Sequence, residues 1–386
     1  MIGTYEPFAV QPAGQTIFGP GKIHQLPEVI AELDGKHVLV VTDPGVVGAG
    51  IARRVTGILH AAGIAYTMHA EIGPNPSTLT LDSGAKAAAD ARADVVLALG
   101  GGSSLDAAKG IALLAANRGK TAADADALWT EAEPGLPIIA VPTTSGTGAE
   151  TNGFGVFEDT AACKKVYLGH DSVVPLATVL DPELTLGLPA RVTAATGLDA
   201  LVHGVESLAS RGANAVSVAY AAQAVALVGR WLPRAYWNGD DLEARAQLML
   251  GAHLGGRALT ISGLGLVHGI GHALTAHTGT PHGVALAAVF EEVMEFSVEE
   301  AAVAYEQAAR SLKIALPADG DWSGVAIEAV REISGSIDIK RPLRELGVTK
   351  ELLPRIAADA VADAVTKNAP RLPVEQQVLE LLESVY

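Results

Sequence analysis

Four of the chain's 11 histidines fall within residues 268–282, in the stretch GLVHGIGHALTAHTGTPHG (265–283). A lone histidine is ordinarily a satisfied core or surface residue. Four among glycines and small apolar residues suggest a shared task, either binding a cation or moving protons. Upstream, TGLDALVHGVES (196–207) sets Asp199 and His203 four residues apart, which on a helix places both on one face. With His268 and His282 they would make an Asp/His/His/His set, and oxygen and imidazole donors suit Fe(II) or Zn(II). The single cysteine, Cys163, leaves no thiolate-rich metal site and no intrachain disulfide. The HGIGH segment is not a zinc-peptidase motif, because Gly269 stands where a glutamate base is required.

A second chemistry is written in glycine and hydroxyl residues. LGGGSSLDAAKG (99–110) lies between a strand-like and a helix-like run, so close backbone approach and a helix N-terminus together could cradle a diphosphate. The Gly-Lys-Ser/Thr ending of a Walker-type loop is missing. VPTTSGTGAE (141–150) follows another strand and offers hydroxyls to a ribose, a phosphate or a nicotinamide. Each turn has a plain structural alternative, tight packing for the first and self-capping for the second. Two such turns at successive strand ends favour a nucleotide. Asp43 ends the strand VLVVTD, where an acid can bond an adenosine ribose and repel a 2′-phosphate, favouring NAD over NADP. It could equally start a turn before Pro44.

The elements that must position these residues alternate in the first half of the chain. Strand-like runs at 37–43, 65–73, 94–100, 136–143 and 177–183 are separated by helical stretches at 48–63, 77–93 and 104–119, with a hairpin at 153–169. That alternation predicts right-handed βαβ crossovers and a parallel sheet. After LGLPA (186–190) Ala/Leu/Val-rich helical periodicity takes over. The reading is an N-terminal α/β dinucleotide-binding domain over 1–188 and an all-α metal-binding and substrate domain over 189–386. At 386 residues the chain is long enough for two cores. A formal charge of −16 argues against nucleic-acid binding. No uninterrupted apolar run has the length of a membrane span. The first residues, MIGTYEPFAVQPAG, lack a basic start and an apolar core, so the expectation is a cytoplasmic protein with no membrane partner.

At this point the sequence resembles the iron-containing (group III) alcohol dehydrogenase family, and the resemblance runs through nearly the whole chain. GGGSSLDAAKG and PTTSGTGAET look like its cofactor segments, AATGLDALVHGVES and GLGLVHGIGHALTAHTGTPHG like its metal segments, and NAPRLP (368–373) like its C-terminal element. The resemblance implies a Rossmann-like N-terminal domain and a helical C-terminal domain of the dehydroquinate synthase-like fold, with a cleft for NAD(P) and one divalent metal. It implies Asp199, His203, His268 and His282 as metal ligands and His272 as a non-ligand histidine near the nicotinamide. Cofactor contacts would come from Asp43, Asn75, Gly101, Gly102, Ser103, Thr143, Thr144, Thr147 and Lys165. Phe154 and Leu259 match substrate-pocket positions, and Asp106 would steady the helix start. His277 is left at a pocket rim or the surface. Ile261-Ser262 replaces the usual Asn-Ala, and Gly269 and Gly271 replace larger residues, lowering helix propensity beside a ligand.

The expected activity is NAD(P)-dependent interconversion of a primary alcohol and its aldehyde, with Fe(II), or Zn(II) as the alternative, as Lewis acid on the substrate oxygen. His272 would carry the proton. Apolar Phe154 and Leu259, with no cationic clamp in view, favour a neutral substrate. The alternatives are a maleylacetate reductase-like activity and a hydroxyacid–oxoacid transhydrogenase, both on carboxylated substrates. A glycerol dehydrogenase or dehydroquinate synthase relative, or a non-catalytic scaffold, stands further off. Relatives suggest a homodimer or larger homo-oligomer.

Overall fold

Runs such as HVLVV and VVLALG, rich in β-branched and aliphatic side chains, form strands that are buried on both faces. In the computed structural model, which describes residues 7–10, 14–124, 132–159, 164–315 and 320–386, the chain divides into two compact units. The side chains of Lys164 and Lys165 are outside that description, as is Cys163. One unit comprises Gln11–Thr144 and Ala149–Gly187; the other holds Met1–Val10, Ser145–Gly148 and Leu188–Tyr386.

The first unit carries a six-stranded sheet. Its strands are β1 (Gln15–Phe18), β2 (His37–Val41), β3 (Ala65–His69), β4 (Val95–Gly100), β5 (Ile138–Pro142) and β8 (Ala177–Leu180). They lie in the order β1-β8-β5-β4-β2-β3, every pairing parallel. Alternate residues serve opposite faces, as a strand's two-residue period demands. Leu39, Val41, Val96, Ala98, Ile138 and Ala140 join one apolar cluster, with Leu81 and Ile111 from the helices Thr78–Ala91 and Gly102–Ala116. Val38, Val40, Leu97, Leu99, Ile139 and Val141 join the other, with Ile30 and Leu59 from the helices Leu26–Glu32 and Ile51–Ala61. Helices therefore cover both faces of the sheet. β6 (Phe154–Asp159) and β7 (Lys164–Gly169) form the expected antiparallel hairpin.

Several short elements were not anticipated, two of them near the start of the chain. Four-residue β1 is an edge strand between Gly14 and Gly19, too short to show a period. The helix Leu26–Glu32 spans only seven residues.

Among the described residues, the chain after Leu188 carries helices and no strand. The long helices Ala190–Ala209, Ala215–Trp237, Leu242–Ser262 and Leu266–Thr278 share one apolar core. Ala215–Trp237 is long and apolar enough to cross a membrane by length and composition. Its Ala221, Val225, Val228 and Leu232 are nevertheless buried in the helical core, as in an amphipathic core helix. Gly269 and Gly271 are close-approach positions. A Cβ on Gly269 would lie 2.1 Å from Thr366 Oγ1, and one on Gly271 would lie 2.4 Å from Leu286 Cδ2. The helix-propensity cost at these glycines is offset by packing that a larger residue would prevent.

Candidate functional site

The helix Ala190–Ala209 buries Asp199 and His203, and the helix Leu266–Thr278 buries His268. His282 opens the next short helix, His282–Ala287. Three imidazole Nε2 atoms converge on one carboxylate oxygen, Asp199 Oδ1: His203 at 3.1 Å, His268 at 3.4 Å and His282 at 3.7 Å. Donor atoms of Asp199, His268 and His282 all lie within 4.8 Å of one another. His203 stacks on His268 with ring centroids 4.9 Å apart.

Inside a protein, polar atoms are almost always paired. Asp199 Oδ1 and His268 Nε2 are buried without a hydrogen-bond partner. A carboxylate oxygen and imidazole nitrogens gathered in this way fit a divalent cation held by Asp199, His203, His268 and His282.

The electrostatics agree with that fit. Burial alone would raise the Asp199 carboxyl, but the three imidazoles hold it well below the usual carboxylate range. Burial drives His203 down to about 4 and His282 to about 3. Burial opposes the charge on His268 too, yet Glu206 first and Asp199 after it push that imidazole up to about 9. Two buried acids thus demand positive charge at this point.

His272 lies beside the cluster, its ring centroid 5.9 Å from that of His268 and 5.5 Å from that of His282. Its Nδ1 donates to Asp363 Oδ2 at 2.9 Å, which leaves Nε2 for proton exchange. Burial would raise the Asp363 carboxyl, but the His272 contact holds it low. His277 stands apart, donating from Nε2 to Asp359 Oδ2 at 2.6 Å.

In the sheet unit, the strand ends carry the nucleotide candidates. Gly100 ends β4 with φ +151°, and Gly101 caps the helix Gly102–Ala116 with no side-chain hydrogen bond to its first turn. The first backbone N–H groups and the positive dipole end of that helix suit a phosphate. Ser103 sits in its first turn, while Thr143 and Thr144 follow β5. Thr144 packs on Gly101, where an added Cβ would lie 3.3 Å from its Cγ2. The two turns are therefore neighbours.

Asp43 has structural duties here. Its Oδ1 accepts from Val46 N at 2.9 Å, capping the helix Pro44–Gly48, and its Oδ2 accepts from Ser104 Oγ at 2.9 Å. Asn75 is an exposed turn residue with φ +51°. Lys165 pairs in register with Glu158, its side chain lying outside the described residues. Thr147 belongs to the segment that clusters with the helical unit. Phe154 is half-exposed at the start of β6, and Leu259 is buried in the helix Leu242–Ser262.

Three further residues support the candidates. Lys109, fully buried, donates to Asp106 Oδ1 at 3.0 Å, Asn152 Oδ1 at 2.8 Å and the Phe154 carbonyl at 2.8 Å, fixing the turn that carries Phe154. Asp363 holds His272. Glu206 contacts His268, and its sequence position gave a signal: Asp199, His203 and Glu206 repeat at i, i+4 and i+7 along one helix face. No local pattern points to Asp363, which is 91 residues from its partner.

Known proteins resemble this chain over nearly its whole length. The iron-containing alcohol dehydrogenase family model matches residues 13–182, and the C-terminal model of the Fe-containing alcohol dehydrogenase family matches 193–386. The chain is 34% identical to the probable alcohol dehydrogenase EutG of Escherichia coli strain K12 over 97% of its own length and 93% of that protein. It is 29% identical to the NAD-dependent methanol dehydrogenase of Bacillus methanolicus, covering 98% of this chain and 99% of the other. The crystal structure of a 1,3-propanediol oxidoreductase superposes with a TM-score of 0.95 at 31% identity, covering 99% of this chain and all of that one. The chain belongs to the iron-containing alcohol dehydrogenase family.

Proposed function

We propose that this protein interconverts a primary alcohol and its aldehyde by hydride exchange with NAD. The observation that carries the proposal is the convergence of three histidine Nε2 atoms on Asp199 Oδ1 in a member of this family. Asp199, His203, His268 and His282 would hold a divalent cation, Fe(II) by family and Zn(II) by the same donor chemistry. When bound, the cation supplies Lewis acidity at the substrate oxygen, and NAD supplies the hydride acceptor.

The chain's own residues do the rest. Gly101, Gly102 and Ser103 present backbone and hydroxyl donors at a helix N-terminus, and Thr143, Thr144 and Thr147 add hydroxyls, which orients the dinucleotide. Asn75 and Lys165 belong to the same cofactor assignment. His272 holds the departing proton at Nε2 while Asp363 fixes the opposite nitrogen. Asp43 disfavours a 2′-phosphate by charge. Phe154 and Leu259, the residues assigned to the substrate, are both apolar, which suits a neutral alcohol better than the dicarboxylate of a maleylacetate reductase. The reading keeps 1–188 as the dinucleotide domain and 189–386 as the metal and substrate domain. It also includes a homodimer or larger homo-oligomer in the cytoplasm, supported by the family resemblance and the lone cysteine.

The test is anaerobic NADH formation by metal-stripped protein given Fe(II), Zn(II) or no metal, with C2–C6 primary alcohols and 1,2-diols as substrates and NADP in parallel. NADH formation that requires added metal is expected. Equal turnover without metal, or turnover only in the presence of a second carbonyl acceptor without free NADH, would overturn the proposal.

A further inference from the structure

Glu206 does two things with one buried carboxylate. It leaves the helix Ala190–Ala209 one turn past His203 and is 8% exposed. Its Oε2 accepts from His268 Nδ1 at 2.6 Å and from Gly265 N at 3.0 Å, while its Oε1 accepts from Val267 N at 2.7 Å. Gly265 is the N-cap of the helix Leu266–Thr278 and has no side chain to cap it. Glu206 therefore replaces the missing cap and sets a negative charge at the positive end of the helix dipole. The same carboxylate fixes the ring of the third residue of that helix.

An imidazole that donates from Nδ1 has its lone pair on Nε2. Nε2 is the His268 atom that is buried without a partner and faces Asp199 Oδ1 at 3.4 Å. A carboxylate behind a metal-binding histidine fixes both tautomer and ring orientation and raises ligand basicity.

We infer that Glu206 is a positioning residue for the cation site: it clamps the start of the helix Leu266–Thr278 and the His268 ring together, so that Nε2 is presented as a ligand. This rests on the reading that Asp199, His203, His268 and His282 hold the cation. Glu206 touches neither substrate nor cofactor in this scheme and acts through His268.

A double-mutant cycle in the full-length chain tests it, with Co(II) as the probe metal. Glu206→Gln, His268→Ala and the double variant are stripped of metal. Their Co(II) affinities are measured by chelator competition, and the visible absorption of the bound ion is recorded. Glutamine keeps the size of Glu206 but removes its charge, and whichever way its amide turns, an NH₂ end faces an N–H that the carboxylate accepted from. Glu206→Gln is expected to weaken Co(II) binding by about 10- to 100-fold and to alter the spectrum. In the His268→Ala background the same change is expected to cost less than about threefold, because the residue through which Glu206 acts is gone.

An equal loss in both backgrounds overturns the proposal and leaves Glu206 a general prop for the helix. No loss with His268 present overturns it as well. Unchanged Co(II) affinity in His268→Ala would instead remove the cation site itself, and the proposal with it. If Glu206→Gln does not fold, Glu206→Asp serves in the same cycle, retaining the charge at the helix end while shortening the reach to Nδ1.

Discussion

Around Asp199 the candidate donors are side chains, three of them buried in a helical core, with His268 held by another side chain, Glu206. Around Gly100 they are chiefly backbone groups at a strand end and a helix N-terminus, where the absence of side chains makes room. Residue identity decides the first site, since no other residue supplies the same lone pair at the same reach. The second is decided by backbone conformation. The histidine site should fail when one side chain is lost and tolerate little exchange. The glycine turn should fail when a side chain is added. Each substitution should leave the other ligand's binding nearly intact.

The largest effect is expected from Asp199→Ala, which removes the only charged donor of the cation set. Metal should be lost on dialysis and NADH formation should fall by about a thousandfold, the scale of several kcal/mol of lost charge stabilisation. NAD binding, followed by fluorescence quenching, should stay within about threefold, since it does not draw on this side chain. A large fall in NAD affinity would break the division between the two sites.

Gly100→Ala should act in the opposite sense. An alanine there would put its Cβ 2.6 Å from Ser104 Oγ and 2.9 Å from Asp43 Oδ2, at a φ of +151°. The turn must shift, and KM for NAD should rise about tenfold, equivalent to about 1.4 kcal/mol. Metal content by elemental analysis should not change. An unchanged KM would mean that this turn does not approach the dinucleotide.

The smallest effect sharpens the comparison, because Asp43 is a side chain serving the backbone-built turn. Asp43→Ala should lower stability by about 1 kcal/mol through loss of the helix cap, seen as a lower urea midpoint. The ratio of kcat/KM for NADP to that for NAD should rise as the charge is removed. A stability loss with unchanged selectivity would assign Asp43 to its caps alone.

The same contrast explains how much could be read from the sequence. The central strands were legible because their aliphatic runs alternate with helix-length segments, whereas four-residue β1 shows no period of its own. Asp199 and His203 stood out by their spacing of one helical turn, His268 and His282 by the density of histidines around them, and the glycine turns by density of glycine. Asp363 and Lys109 did not, because their work depends on partners that only the fold brings near: His272 in one case, Asn152 and the Phe154 carbonyl in the other. Glu206 lies between these cases. Its place on the Asp199 face was visible, but its bonds to His268 and the 265–267 backbone depend on where the Leu266–Thr278 helix comes to rest.

Ser145–Gly148 clusters with the helical unit although the chain on both sides belongs to the sheet unit. With Met1–Val10 also in the helical unit, the polypeptide passes between the two units at 10–11, 144–145, 148–149 and 187–188, not once at a single linker. A gene cut at residue 188 would not yield two self-sufficient modules. The C-terminal fragment would lack Met1–Val10 and Ser145–Gly148 of its own unit, and Thr147, proposed as a cofactor contact, would remain on the other piece. Shuffling of this enzyme between relatives should accordingly treat Ser145–Gly148 and the chain after Leu188 as one inherited block.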